Sequence, residues 1–133
     1  MIKSIIQLTL FVHNLEEAKT FYVNKLGFVV REEAEFGPEW QYLTVSPATD
    51  NETMIELAEA KTPEQKRLIG KQGGDTVILM FETDDIERDF NELKHRGIVF
   101  HGEIQDVPGG KGVGFKDLYG NELDLFQTKV DYD

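Results

Sequence analysis

Two carboxylates in this 133-residue chain sit in the same local frame. Glu56 lies between Ile55 and Leu57, and Asp124 lies between Leu123 and Leu125. Successive side chains of a strand point to opposite faces. Each acid therefore projects from the face that its aliphatic neighbours leave. A carboxylate in partly apolar surroundings can act as a general acid or base, or as the counter-charge of a cation. Gln7 and Thr9 alternate with Leu8 and Leu10 in the same way and add an amide and a hydroxyl. The three histidines, His13, His95 and His101, have no metal-ligand spacing and read as surface residues; the register of its strand decides whether His101 reaches the same face. There is no cysteine, which excludes disulfides, zinc–thiolate sites and thiol nucleophiles. The glycine-rich run Pro108–Gly114 lacks the spacing, the Lys-Ser/Thr ending and the following helix of a phosphate loop, and reads as a mobile rim loop.

The elements that must hold these residues follow from periodicity. Ile5–Val12 reads as a strand. Asn14 caps a helix, with Glu17 at capping-box spacing, Leu15, Ala18, Tyr22 and Leu26 on one face, and Gly27 at its end. Phe28–Phe36 and Trp40–Val45 read as strands about a Gly37-Pro38 turn, and Thr53–Ala58 as a fourth after a polar loop. Lys61–Gly74 reads as a short helix and linker. The pattern then restarts. Thr76–Thr83 is a strand, Asp84-Asp85 caps a helix of Ile86, Phe90 and Leu93, and Gly97 ends it. Ile98–Gln105 is a strand, Asp106–Gly112 a turn, Gly112–Asp117 a strand, and Glu122–Gln127 the last strand after Tyr119-Gly120-Asn121.

This is a βαβββ repeat, with module one over residues 2–60, a linker over 61–74 and module two over 75–127 of one domain. Aligning Leu15 with Ile86 sets Gln7 against Ile78, and the closing strands set Glu56 against Asp124. Leu8, Leu10, Ile55, Leu57, Leu79, Phe81, Leu123 and Leu125 fall on the helix-facing side. The opposite side mixes Gln7, Thr9, Phe11, Glu56, Ile78, Met80 and Asp124, with Trp40 and Tyr42 at its rim. Such a mixture suits a ligand-sized cup. A sheet–sheet or dimer interface with a few hydrated polar groups is the alternative.

Composition narrows the function classes. Fourteen Lys and Arg against 25 Asp and Glu give a formal net charge of −11. The basic residues are scattered, which argues against a nucleic-acid partner. No apolar run reaches membrane-span length and the first residues lack a cleavage site, so a cytoplasmic protein without a membrane partner is the expectation. Excess negative charge suits solubility and a cationic ligand.

The repeat, the opening NLEEAKTFYVNKLGF segment and the closing VGFKDLYGNELDLFQ segment resemble the vicinal oxygen chelate superfamily of glyoxalases, bleomycin-resistance proteins and extradiol dioxygenases. The resemblance spans Ile2 to Gln127. It implies an α+β fold of two tandem βαβββ modules forming an incomplete barrel around a cup, and a homodimer. It also implies a divalent-metal site made by His or Gln on the first strand, Glu on the fourth, His on the fifth and Glu on the eighth. Gln7, Glu56 and Asp124 match three of these positions, Asp124 one methylene short, and Ile78 stands where an imidazole belongs. Three oxygen donors hold Mg²⁺ or Mn²⁺ weakly and suit Zn²⁺ or Ni²⁺ poorly. The expectation is a cup without a tight transition metal or other cofactor.

Three functions follow from this reading. The cup binds a small organic molecule, with Phe11, Trp40, Tyr42 and Phe126 as aromatic faces. Alternatively the chain is a glyoxalase- or epimerase-type lyase or isomerase, with Glu56 or Asp124 as general base next to a carbonyl. In the third, the cup is filled by the chain's own side chains or by a partner.

Overall fold

The computed structural model describes residues 1–129. They form two compact units, the first ending at Ile69 and the second beginning at Gly70. Each is a four-stranded mixed sheet with at least one helix, and each follows the βαβββ order.

In the first unit β1 (Gln7–Val12) leads to α1 (Leu15–Lys19), then to β2 (Val29–Glu35), β3 (Gln41–Ser46) and β4 (Met54–Glu59). The sheet order is β1-β4-β3-β2, so the first strand pairs in parallel with the last. Leu10, Val12, Ile55 and Leu57 are buried, as the alternation predicts for the helix-facing side. Asn14 caps α1 by accepting from the Glu17 backbone N–H at 2.9 Å.

The expected single helix from Leu15 to Leu26 is not α-helical throughout. After Lys19 it widens into a π-helical segment, Thr20–Lys25, closed by the Leu26 N–H donating to the Phe21 carbonyl at 3.0 Å. The extra residue per turn lets the adjacent Phe21 and Tyr22 both turn inward, each less than a tenth exposed. Tyr22 packs edge-on to Phe21, with ring centroids 5.3 Å apart, and against Phe28 at 5.7 Å. Gly27, at φ 80°, then reverses the chain into β2. Within the expected linker, α2 (Pro63–Arg67) forms behind a Thr62–Gln65 capping box.

The second unit runs β5 (Leu79–Glu82), α3 (Ile86–His95), β6 (Gln105–Val107), β7 (Gly110–Lys116) and β8 (Glu122–Thr128), in sheet order β5-β8-β7-β6. Ile86, Phe90 and Leu93 of α3 are buried with Val113, Phe115, Leu123 and Leu125. Phe100 links the layers, 4.6 Å from the Phe90 ring and 5.3 Å from the Phe115 ring.

The strand expected over Ile98–Gln105 is not continuous. Phe100 makes one isolated bridge to Phe115, and the chain then bends through Gly102 at φ 113° before β6 begins at Gln105. The Gly-rich run is likewise not a loop. Pro108-Gly109 alone makes the turn, with Gly109 at φ 87°, and Gly110 onward is strand paired to β6 and β8.

Strand registers reproduce the repeat. Thr9 lies beside Glu56 in β1–β4, and Met80 lies beside Asp124 in β5–β8. Gln7 and Ile78 thus hold equivalent places, as do Glu56 and Asp124.

Candidate functional site

On the face of the first sheet opposite α1, four of the expected residues form one hydrogen-bonded cluster. The Gln7 amide nitrogen donates to Glu56 Oε1 at 3.1 Å, and the Thr9 hydroxyl donates to the same oxygen at 3.2 Å. The Tyr42 hydroxyl donates to the Gln7 carbonyl oxygen. The parallel β1–β4 register makes this possible, because it sets Thr9 beside Glu56 and Gln7 two residues earlier on the same face, beside Met54. Burial, then the charges of Glu56 and Glu32, push the Tyr42 phenol above its ordinary range, so it remains a donor at neutral pH.

Glu56 also lines a cavity of about 630 Å³ in this unit, together with Phe11, Trp40, Glu39, Glu59, Lys61 and Lys66. Its charged groups comprise three carboxylates and two ammoniums. Trp40 is half exposed and belongs to an aromatic group with Phe36 and Tyr42, ring centroids 5.1 to 6.3 Å apart. Aromatic walls beside carboxylates suit an organic cation.

The second unit brings Met80 and Asp124 together in a cavity of about 420 Å³ with His101, Gly114 and Phe126. Gly114 is paired with Asp124, and a Cβ there would lie 3.2 Å from the His101 ring and 3.3 Å from Asp124 Oδ1. The bend after Phe100 lays His101 over this glycine, where its Nε2 meets Glu122 Oε2 at 2.8 Å. His101 was thus within reach of the acid-bearing face, and the pairing of β7 with β8 is what brings it there. Ile78 lies outside both cavities. It precedes β5 and packs on Gly73, where an added Cβ would come within 2.0 Å of it.

Burial, then Glu122, raises the Asp124 carboxyl above its ordinary value, while His101 partly offsets them. A carboxyl raised in the fold favours the folded state when protonated. That contribution is complete below the unfolded value of 3.8 and is lost as pH rises through the folded value. Asp124→Asn should therefore gain melting temperature over wild type at pH 7 and match it at pH 3.5. Thermal melts at the two pH values check this; an equal difference at both would contradict the assignment.

The residues at the implied metal positions do not suit a transition metal. The side-chain oxygen of Gln7, its one good ligand atom, accepts a hydrogen bond from the Tyr42 hydroxyl, and Gln7 turns its nitrogen to Glu56. Ile78 offers no donor. Among the described residues no group of three or more His, Asp or Glu side chains has the geometry to hold an ion.

Glu39 escaped the sequence reading because it lies in the turn before β3, and Glu59 because it is the last residue of β4, one beyond the expected strand. The glycines of β7 were legible as a cluster, but only the Pro108-Gly109 turn signal could have recast them as strand.

Among known families, the model of the Glyoxalase/Bleomycin resistance protein/Dioxygenase superfamily matches residues 4–125. An uncharacterized protein of Shewanella frigidimarina is 42% identical over 130 residues, 96% of this chain and 95% of its own length. A member of the same superfamily from Sphaerobacter thermophilus has a TM-score of 0.81 at 28% identity, covering 95% of this chain and 98% of that one. TnmS3, an antibiotic-binding protein from Streptomyces sp. CB03234, has a TM-score of 0.79 at 27% identity, covering 96% and 98% respectively. No helix among the described residues is long and apolar enough to cross a membrane.

Proposed function

Since the chain belongs to the Glyoxalase/Bleomycin resistance protein/Dioxygenase superfamily, we propose that it binds a small organic cation without a transition metal, in the cavity that joins Glu56 to Phe11 and Trp40. The observation that carries this reading is the Gln7–Glu56–Thr9 arrangement. Two donors converge on one carboxylate oxygen and fix the acid in place. Both bonds go to Oε1, and neither uses the other oxygen. A cation entering between Trp40 and Phe11 meets that carboxylate and the aromatic faces together. The antibiotic-binding relative supports a ligand of drug size.

Calorimetry with benzyltrimethylammonium and its neutral carbon isostere tests the reading. The two differ only in charge. The ammonium should bind at least about tenfold more tightly, which corresponds to about 1.4 kcal/mol. Equal affinities would remove the charge argument.

Asp124 favours a second reading. Its raised carboxyl, facing a cavity beside His101 and Met80, is suited to proton transfer at a carbon next to a carbonyl. In that case the chain is a lyase or isomerase, and Asp124 rather than Glu56 moves the proton.

A further inference from the structure

We propose that Tyr42 is a positioning residue: its hydroxyl fixes the Gln7 amide with the oxygen turned to the tyrosine and the nitrogen turned to Glu56, and so denies Glu56 an oxygen partner for a divalent cation. The proposal deepens the metal-free reading above and rests on it.

A glutamine amide has one accepting end and one donating end, and a half-turn exchanges them. In the observed orientation both ends are used, the oxygen by Tyr42 and the nitrogen by Glu56 at 3.1 Å. The turned amide would press its oxygen against the Glu56 carboxylate. Two acceptors in contact repel unless a cation lies between them. The cluster therefore has two arrangements, donor-inward without a cation and acceptor-inward with one. Tyr42 favours the first, because a phenol donates more strongly than it accepts, and a turned amide would offer it only an N–H to accept. The tyrosine ring packs with Phe36 at 5.6 Å and Trp40 at 6.3 Å, which favours the observed place of its hydroxyl.

Tyr42→Phe removes that bond and keeps the ring packing. Mn²⁺ alone, titrated by electron paramagnetic resonance, should bind Tyr42→Phe about tenfold more tightly than wild type, the worth of one hydrogen bond. Adding Gln7→Leu should abolish the gain. Gln7→Glu offers oxygen in either orientation and should bind Mn²⁺ more tightly even with Tyr42 intact. The Gln7 side-chain amide resonances should shift in Tyr42→Phe before metal is added, a change that a purely structural role for the ring would not produce. Equal Mn²⁺ affinity for wild type and Tyr42→Phe, or no gain in Gln7→Glu, would overturn the proposal and leave the metal-free reading standing. Micromolar Mn²⁺ binding by wild type itself would overturn that reading and the proposal with it.

Discussion

Glu56→Gln should weaken benzyltrimethylammonium by roughly 30- to 160-fold, about 2–3 kcal/mol, while its neutral isostere changes by less than about threefold. The substitution keeps the shape of the side chain and an oxygen to accept from Gln7 and Thr9. It removes only the charge. Two unit charges about 4 Å apart interact by about 4 kcal/mol at the effective dielectric near a protein surface, and the openness of the cavity to water reduces this. The loss should shrink as salt is raised. Calorimetry on both proteins with both compounds checks the expectation. A parallel loss for the neutral compound would mean that the substitution disturbs the cavity rather than its charge.

Asp117→Ala should cost about 3 kcal/mol of stability and lower the melting temperature by about 10 °C. Asp117 is 6% exposed and directly follows β7, whose Gly114 pairs with Asp124. Its Oδ1 accepts from the backbone N–H groups of Tyr119 and Asn121, both at 2.9 Å, and its Oδ2 accepts from the Asn121 amide at 2.8 Å. Alanine leaves three donors without their acceptor, two of them on Asn121, itself 3% exposed. Each buried orphan costs about 1–3 kcal/mol. Asp117→Asn restores an acceptor but not the charge, and should recover roughly half of the loss. Thermal and urea unfolding measure both. A loss of less than about 1 kcal/mol for alanine would show that water replaces the carboxylate. The turn also sets the β7–β8 register, so the alanine variant should blur the Gly114–Asp124 pairing as well.

Much of this was legible from the chain because it is local. Asn14 and Asp85 announce their helices through side chains that reach only three residues ahead. The acid-between-aliphatics strands fix which face bears Glu56 and Asp124, since alternation admits no other outcome once one face is buried. The π-helical widening at Thr20 was not legible. Leu15, Ala18, Tyr22 and Leu26 fit an ordinary helix equally well, and the choice is made by Phe21 and Phe28 packing about Tyr22. The break after Phe100 was hidden for a similar reason. Ile98 and Phe100 alternate like strand residues, while the bend at Gly102 is set by how His101 settles over Gly114. The orientation of Gln7 depends on Tyr42, 35 positions away, and no spacing rule reaches that far. Sequence alone therefore supplied the members of the cluster around Glu56 and left the direction of its hydrogen bonds open.

The pairing of the first strand of each unit with its last also sets an order of events during synthesis. β1 finds its parallel partner only when Met54 and the residues after it have emerged, and β5 waits in the same way for Leu123. Until then Leu8, Leu10 and Val12 have no strand to register against, while the β2–β3 hairpin can close early and locally. Joining ends so far apart in sequence makes the last step of each unit its slowest, because the loop must be closed before any contact rewards it. The nascent first strand is thus the stretch most in need of shielding, and the arrival of the fourth strand completes the sheet and the Glu56 cluster in one event.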